Sequence, residues 1–562
     1  MLEMIENKFA KYLAVGSFLV TILIIAGPVS DPVNVPKLLA LGTLSFALLP
    51  YLVYIGKQRL LKDNSVPTYL TLIFILSAIS AVIFSQAPLT QNLYGVTGRN
   101  TGFVALLSFA ILFIISSNFT KTQNIEFVLH SLLAAGVVNI AYGFFEHFIK
   151  DPIPWNNNYG AFLGTFGNPN FAGAFMGLIV GLGVVLALSN LKNYKLFFIY
   201  TLLVILSSIV VIYTDTTQGV LVAGLTSGFA GGVFLIKTIK NRFISIAYAL
   251  TFFVTSLTVV LGILQKGPFT QYLYKRSVSL RGVYWDTGIN TGNSHPFSGV
   301  GLDTFGDWYR AERSLKAATW LPGPETISNS AHNLFIDMYA NGGLPLFLSF
   351  FSFTVLGFIN IVKILRKINN FDPVAVGLIV TFIGFQAQAI ISIAQIGIAI
   401  WGWILAGLLH AYTRTLYIQT EPEKNQKSNK KKIHSDSPVG VFVFISAAIG
   451  LLIAIPPYSA DAKYTSAGKS RDLKQIEASL QPNYFNPRST QTFAMATYLL
   501  EQNNFNDLSH KYALEGVKFN PHFYEAWKLL YILKNSTDEE RKLALSKMKA
   551  LDPLNPNLEK LK

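Results

Sequence analysis

Apolar runs of membrane-crossing length, separated by short polar joints, recur along most of the chain. They lie at about 12–29, 37–56, 69–86, 102–117, 127–148, 171–190, 196–213, 217–236, 243–264, 343–362, 373–393, 396–413 and 439–456. Lipid offers a backbone amide no partner, so each run can cross only as a helix that satisfies its own N–H and C=O groups. The pattern predicts an all-α, polytopic membrane protein with about 13 transmembrane helices, broken by one long polar segment at 265–342. Gly27, Pro28 and Asp31 lead from the first run straight into the second rather than into a small-residue cleavage site, so a cleaved signal peptide is not expected.

Composition agrees: 51% of the residues are hydrophobic and 13% charged, where a soluble domain carries about 25% charged. The net charge of +15 would suggest nucleic acid in a soluble protein, but the basic residues follow the joints. Lys8 and Lys11; Lys57, Arg59 and Lys62; Lys192 and Lys195; Lys237, Lys240 and Arg242; Lys363, Arg366 and Lys367; and the run Lys424 to Lys432 occupy alternate loops. Positive residues stay cytoplasmic, which puts the N-terminus inside, the long loop outside, and makes nucleic acid an unneeded partner. Cysteine is absent, which removes thiolate metal sites, catalytic thiols and disulfides.

After Ile455-Pro456-Pro457 the pattern changes to charged and helical, so the chain divides into a membrane domain, 1–456, and a soluble domain, 457–562, on the same side as the long loop. FNPRS around Pro487, FNPHF around Pro521 and LDPLN around Pro553 recur at intervals close to the thirty-four residues of a tetratricopeptide unit. Ala494, Tyr498, Leu499, Tyr512, Ala513, Ala526, Trp527 and Leu530 supply the small and large residues that stacked helix pairs need. Such stacks present a concave surface to a protein partner.

The expected outward polar segments are few: 86–101, 149–170, 214–218 and 265–342. Arg99 and Arg281 stand near the membrane boundary, where a guanidinium fork suits a lipid-linked diphosphate, although an arginine there also snorkels to headgroups. Arg310 and Arg313, one turn apart in WYRAERS, are either a second anion contact or a solvated face beside Asp307 and Glu312. His332, in AHNLFIDMYANGG, is the side chain suited to exchange a proton with an attacking hydroxyl. Gly299, Gly301, Gly342 and Gly343 permit tight turns. Asn168, Pro169 and Asn170 read equally as a helix cap and as glycan or acceptor contacts, and Trp155, Asn156, Asn157, Asn158 and Tyr159 suit stacking on sugar rings. No Walker loop, dinucleotide fingerprint, HExxH or external Asp-x-Asp pair occurs, so ATP, a resident cofactor and a tightly held metal are not expected.

GNPN before a span, RGVYW, HPFSGVGLDTF and AHNLFIDMYANGGLPLF, in that order, resemble the O-antigen ligase and polymerase superfamily of bacterial envelopes, over roughly residues 1–420. The resemblance implies a plasma-membrane glycosyltransferase that moves a glycan from a polyprenyl diphosphate carrier to an acceptor hydroxyl on a glycan, lipid or protein, metal-independent and inverting. It gives Arg281 the diphosphate and His332 the acceptor. Many relatives have Ser-Arg-Gly where this chain has Thr217-Gln218-Gly219, which leaves Gln218, with Arg99 or the Arg310 and Arg313 pair, to serve the donor. A polymerase using the same donor is the near alternative. A lipid-linked glycan transporter would place ionisable groups at mid-span, where this chain has almost none, Glu146 lying near an end.

Overall fold

Helices build nearly all of this molecule, and their polar termini sort into two groups at opposite ends of a bundle. The computed structural model describes residues 2–153, 155, 157–418, 439–470 and 472–561, so Asn156 and the basic run Lys424 to Lys432 lie outside the described residues. Among the described residues the one strand-like feature is a bridge between Asn483 and Asn486.

Among the described residues ten helices are long and apolar enough to cross a membrane: Asn34–Asp63, Ser65–Ile83, Thr122–Phe148, Pro169–Ser189, Tyr194–Tyr213, Thr217–Ile239, Arg242–Ile263, Leu334–Lys367, Ile396–Tyr417 and Val439–Ser470. The other three expected runs fall on Leu2–Ile22 and on two shorter apolar helices, Phe103–Ser116 and Pro373–Ala389. At 14 residues Phe103–Ser116 measures about 21 Å, less than the roughly 30 Å hydrocarbon core. Nearly all of it is buried among neighbouring helices, which removes the need to match lipid thickness. Its flanks still reach both polar ends: Thr101 N donates to Asp303 Oδ2 at 3.3 Å, and Asn118 O accepts from Tyr51 Oη at 3.2 Å.

The first helix starts ten residues earlier than expected because its charged face has partners: Glu6 accepts from Thr120 N at 2.8 Å and Asn124 Nδ2 at 2.9 Å. That end also holds Asn64 with His410, Tyr412 with Asp372, and Lys237 on the Ile368 carbonyl, together with the basic joints. The opposite end joins Asn34 to Gly98, Gln395 to Asn34, Thr165 to the Thr21 carbonyl and Lys275 to Asp215. The 265–342 segment and the C-terminal domain sit there too.

The expected break at Pro456-Pro457 does not occur, and the helix runs on to Ser470. Proline cannot donate to the carbonyl four residues back, so Pro456 leaves the Leu452 carbonyl unserved. Tyr484 Oη, from the C-terminal domain, donates to that carbonyl at 2.8 Å. One rod therefore joins the last span to the C-terminal helices, crossing the expected boundary at 457.

Beyond it the helices Thr490–Gln502 and Asn506–Phe519, then Tyr524–Ile532 and Asp538–Leu551, pack as consecutive pairs. Tyr512, Ala513, Ala526, Trp527 and Leu530 are buried as expected. In the first pair the inward face is Phe493, Ala496 and Leu500, whereas Tyr498 is 52% exposed, so the expected face there was out of register.

Candidate functional site

The helix Arg276–Ser294 lies against the first turns of Leu334–Lys367, close enough that a Cβ on Gly292 would fall 2.3 Å from the Tyr339 ring. Gly299 and Gly301 adopt positive φ, and the turn they form pins itself to the same helix, Val300 N donating to Ala340 O and Gly301 N to Asn341 O, each at 3.0 Å, while Gly343 takes positive φ at a kink of that helix. Gly342 keeps helical backbone. These contacts fix Arg281, Tyr284 and Trp285, which share one face by their i, i+3 and i+4 spacing, beside the loop that carries His332.

His332 has φ +55°, a left-handed conformation uncommon outside glycine. Asp337 maintains it. Its carboxylate accepts from Ala331 N at 2.8 Å and Ser330 Oγ at 2.5 Å, and Ser330 Oγ in turn accepts from His332 N at 3.0 Å. Asn333 caps the following helix through Phe335 N and Ile336 N. The imidazole stacks on Tyr284, ring centroids 5.2 Å apart, and Trp285 Nε1 reaches the His332 carbonyl at 3.4 Å. Burial, helped by the Arg281 and Arg99 charges, pushes the imidazole pKa down to about 4, so it is neutral at physiological pH.

Arg281 and His332 line one hollow of about 230 Å³ together with Asn168, Asn170, Ser277 and Tyr284. Asn170, Ser277 and Arg281 also line an adjoining hollow of about 210 Å³, which adds Asp215, Thr216, Thr217, Gln218 and Lys275. Three helices begin at this second hollow. Pro169 and Asn170 open one, capped by Asn168 accepting from Asn170 N at 2.9 Å; Thr217 and Gln218 open another, capped by Thr216; Lys275 and Ser277 belong to the start of the third. The positive ends of three helix dipoles thus converge on one concavity. Lys275 is paired with Asp215 at 3.6 Å, whereas Arg281 has no ion pair among the described residues and burial lowers its pKa. The arrangement offers positive groups suited to an anion, with a neutral imidazole beside them.

The other predicted arginines are elsewhere. Arg99 pairs with Asp303 at 3.5 Å and bonds the Asn329 carbonyl; it lies behind the His332 loop and lines neither hollow. Arg310 and Arg313 line neither hollow: both are buried and paired with the C-terminal helices, Arg313 on Asp552 at 2.6 Å and Arg310 on Asp552 at 3.1 Å and Glu525 at 3.0 Å. A guanidinium so engaged is not free to meet a diphosphate, nor is it the solvated face that was the alternative. Asn168 is the cap its sequence context suggests and also donates to Tyr159 Oη at 3.2 Å. Trp155 donates to Asp151 at 2.6 Å and lines neither hollow.

Residues 170–351 match the family model for O-antigen ligase. The chain carries an O-antigen ligase domain. No curated protein matches the chain. The matched region contains Asn170, Gln218, Arg281 and His332, hence most of both hollows. With ten candidate spans among the described residues, the protein is a multi-pass membrane protein, and the match at 170–351 supports ligase- or polymerase-type glycan transfer between a lipid-linked glycan and an acceptor as its general activity. Asp337, Ser330, Ser277 and Tyr284 of the ligase domain escaped sequence reasoning. The carboxylate five residues after His332 was the one visible signal, because that spacing returns it to the start of its own helix.

Proposed function

We propose that this protein transfers a glycan from a polyprenyl diphosphate carrier to an acceptor hydroxyl at the outer face of the plasma membrane, by single displacement and without a metal. The observation that carries the reading is Arg281: a half-buried guanidinium with no ion pair among the described residues, lining both the hollow where three helix N-termini converge and the adjoining one that holds His332. Breaking the sugar–phosphate bond builds negative charge on the departing oxygen, and prearranged positive groups stabilise it without reorganising. His332, held neutral, accepts the acceptor's proton as the new bond forms. A double displacement needs a nucleophile on the enzyme. Among the residues lining the hollows the one carboxylate is Asp215, 89% exposed and paired with Lys275, which favours a single inverting step. The basic end of the bundle becomes the cytoplasmic one, so the hollows and the C-terminal helix pairs, read as tetratricopeptide-like units that hold a protein partner, face outward.

Purified protein in detergent, given a polyprenyl diphosphate glycan and acceptor, is expected to release polyprenyl diphosphate in the presence of chelator and absence of ATP. Absence of release under all acceptors and carriers, or strict dependence on added metal, would overturn the reading. Lengthened glycan still on its carrier would identify a polymerase instead of a ligase.

The pH dependence has a defined sign. A proton acceptor whose pKa lies near 4 is already in its active form from pH 5 upward and is lost as pH falls through about 4. The kcat/KM profile should therefore show no acidic limb near 6.5, the ordinary histidine value. A limb at 6.5 that disappears in His332→Gln would contradict the neutral-imidazole account.

A further inference from the structure

Gln218 is the second residue of the helix Thr217–Phe234 and only 3% exposed, yet neither its Nε2 nor its Oε1 has a hydrogen-bond partner. It lines the 210 Å³ hollow beside Asn170, Ser277 and Arg281. Its backbone is held in place by the next residue, since a Cβ on Gly219 would fall 2.8 Å from the Gly173 backbone. A buried amide with both ends unpaired is costly and calls for an explanation. A ligand that enters the hollow supplies one.

The chemistry of that ligand follows from the pair of unmet atoms. Phosphate oxygens only accept, so a diphosphate would serve Nε2 and leave Oε1 unpaired. A sugar hydroxyl or acetamido group both donates and accepts, and satisfies the two atoms together. The positive charge needed by the diphosphate is already provided by Arg281 and the helix N-termini. Resting on the donor reading above, we infer that Gln218 recognises the carrier-proximal sugar of the donor through a hydroxyl or acetamido group, and is a specificity residue instead of a diphosphate ligand. The expected grouping of Gln218 with the diphosphate-binding arginines is thereby revised.

The test compares bare polyprenyl diphosphate with polyprenyl diphosphate N-acetylglucosamine and polyprenyl diphosphate galactose, each binding to purified full-length protein without acceptor. The ratio of Kd for the bare carrier to Kd for the sugar-bearing carrier is measured in the wild type, Gln218→Leu and Arg281→Ala. Gln218→Leu is expected to lower that ratio by about tenfold for at least one sugar, with bare-carrier affinity changed less than about twofold. Because leucine removes an unpaired polar group, the Tm of the ligand-free variant should be equal or higher. An unchanged ratio for both sugars, an equal loss for the bare carrier, or a fall in ligand-free Tm would overturn the assignment. Arg281→Ala should weaken all three carriers together; no effect there would fail the donor reading separately, whatever Gln218 does.

Discussion

Arg281→Ala is expected to lower the rate of polyprenyl diphosphate release about 10²- to 10³-fold at saturating donor, the loss seen when one prearranged donor to a developing anion is removed. The effect should appear in kcat, since the charge it meets grows as the bond breaks, and more weakly in KM, since the diphosphate is charged already in the ground state. Three helix N-termini remain around the hollow and keep part of the binding. Arg281→Lys retains the charge but not the planar fork, and should recover part of the rate. Folding gives an independent control. Arg281 makes no ion pair among the described residues, so its removal breaks none, and the Tm of Arg281→Ala should stay within a few degrees of wild type. Single-turnover release measured for the three proteins decides the matter. An alanine variant within about threefold of wild type would remove Arg281 from the chemistry.

Sequence reasoning reached the architecture because membrane crossing imposes a local rule: length and apolarity of one segment suffice, and Val439 or Tyr194 announces its helix without reference to partners. The same rule misplaced the ends of helices. The first run is read from residue 12, whereas the helix starts at Leu2, and Glu6 in its early turns finds its partners on Thr120 and Asn124, more than a hundred residues away. Pro456 looked like a terminator, and the group that makes it tolerable, Tyr484, comes from the next domain. The site divides in the same way. Arg281 and His332 stood out because a guanidinium fork suits a diphosphate at the membrane boundary and an imidazole exchanges a proton near neutral pH. That Arg281 has no ion pair among the described residues while Arg310 and Arg313 share two carboxylates is a fact of tertiary contact; the sequence left WYRAERS open as a second anion contact or a solvated face. Sequence reasoning assigned the Asn and Asp before the repeat prolines no docking role. Their docking role, Asn520 on Asp307 at 2.9 Å and Asp552 on both arginines, depends on where the helix Phe305–Glu312 lies.

The second large effect concerns that junction. Asp552 is 1% exposed and holds Arg313 at 2.6 Å and Arg310 at 3.1 Å; the Pro324 carbonyl accepts from both arginines, Glu525 takes the far side of Arg310, and the guanidinium lies 4.2 Å from the centre of the Tyr524 ring. Asp552→Ala leaves Arg313 buried with carbonyls but no carboxylate, and removing one partner of a buried pair costs about 3–5 kcal/mol. Asp552→Asn keeps some of the hydrogen bonds without the charge and should cost less. If the loss comes from a stranded charge, then removing that charge should relieve it: Arg313→Leu combined with Asp552→Ala is expected to be more stable than Asp552→Ala alone, a coupling that a double-mutant cycle isolates. The consequence should reach catalysis, because Asn290 Nδ2 and Ser294 Oγ of the helix carrying Arg281 bond Glu312 at 3.2 and 3.0 Å, and Tyr284 packs on Tyr309. Asp552→Ala should thus lower glycan transfer along with Tm and expose the C-terminal helix pairs to limited proteolysis. A variant that keeps its Tm and its protease resistance would show that the two arginines do not anchor this domain. One that loses both but transfers glycan at the wild-type rate would show that the anchor does not position Arg281.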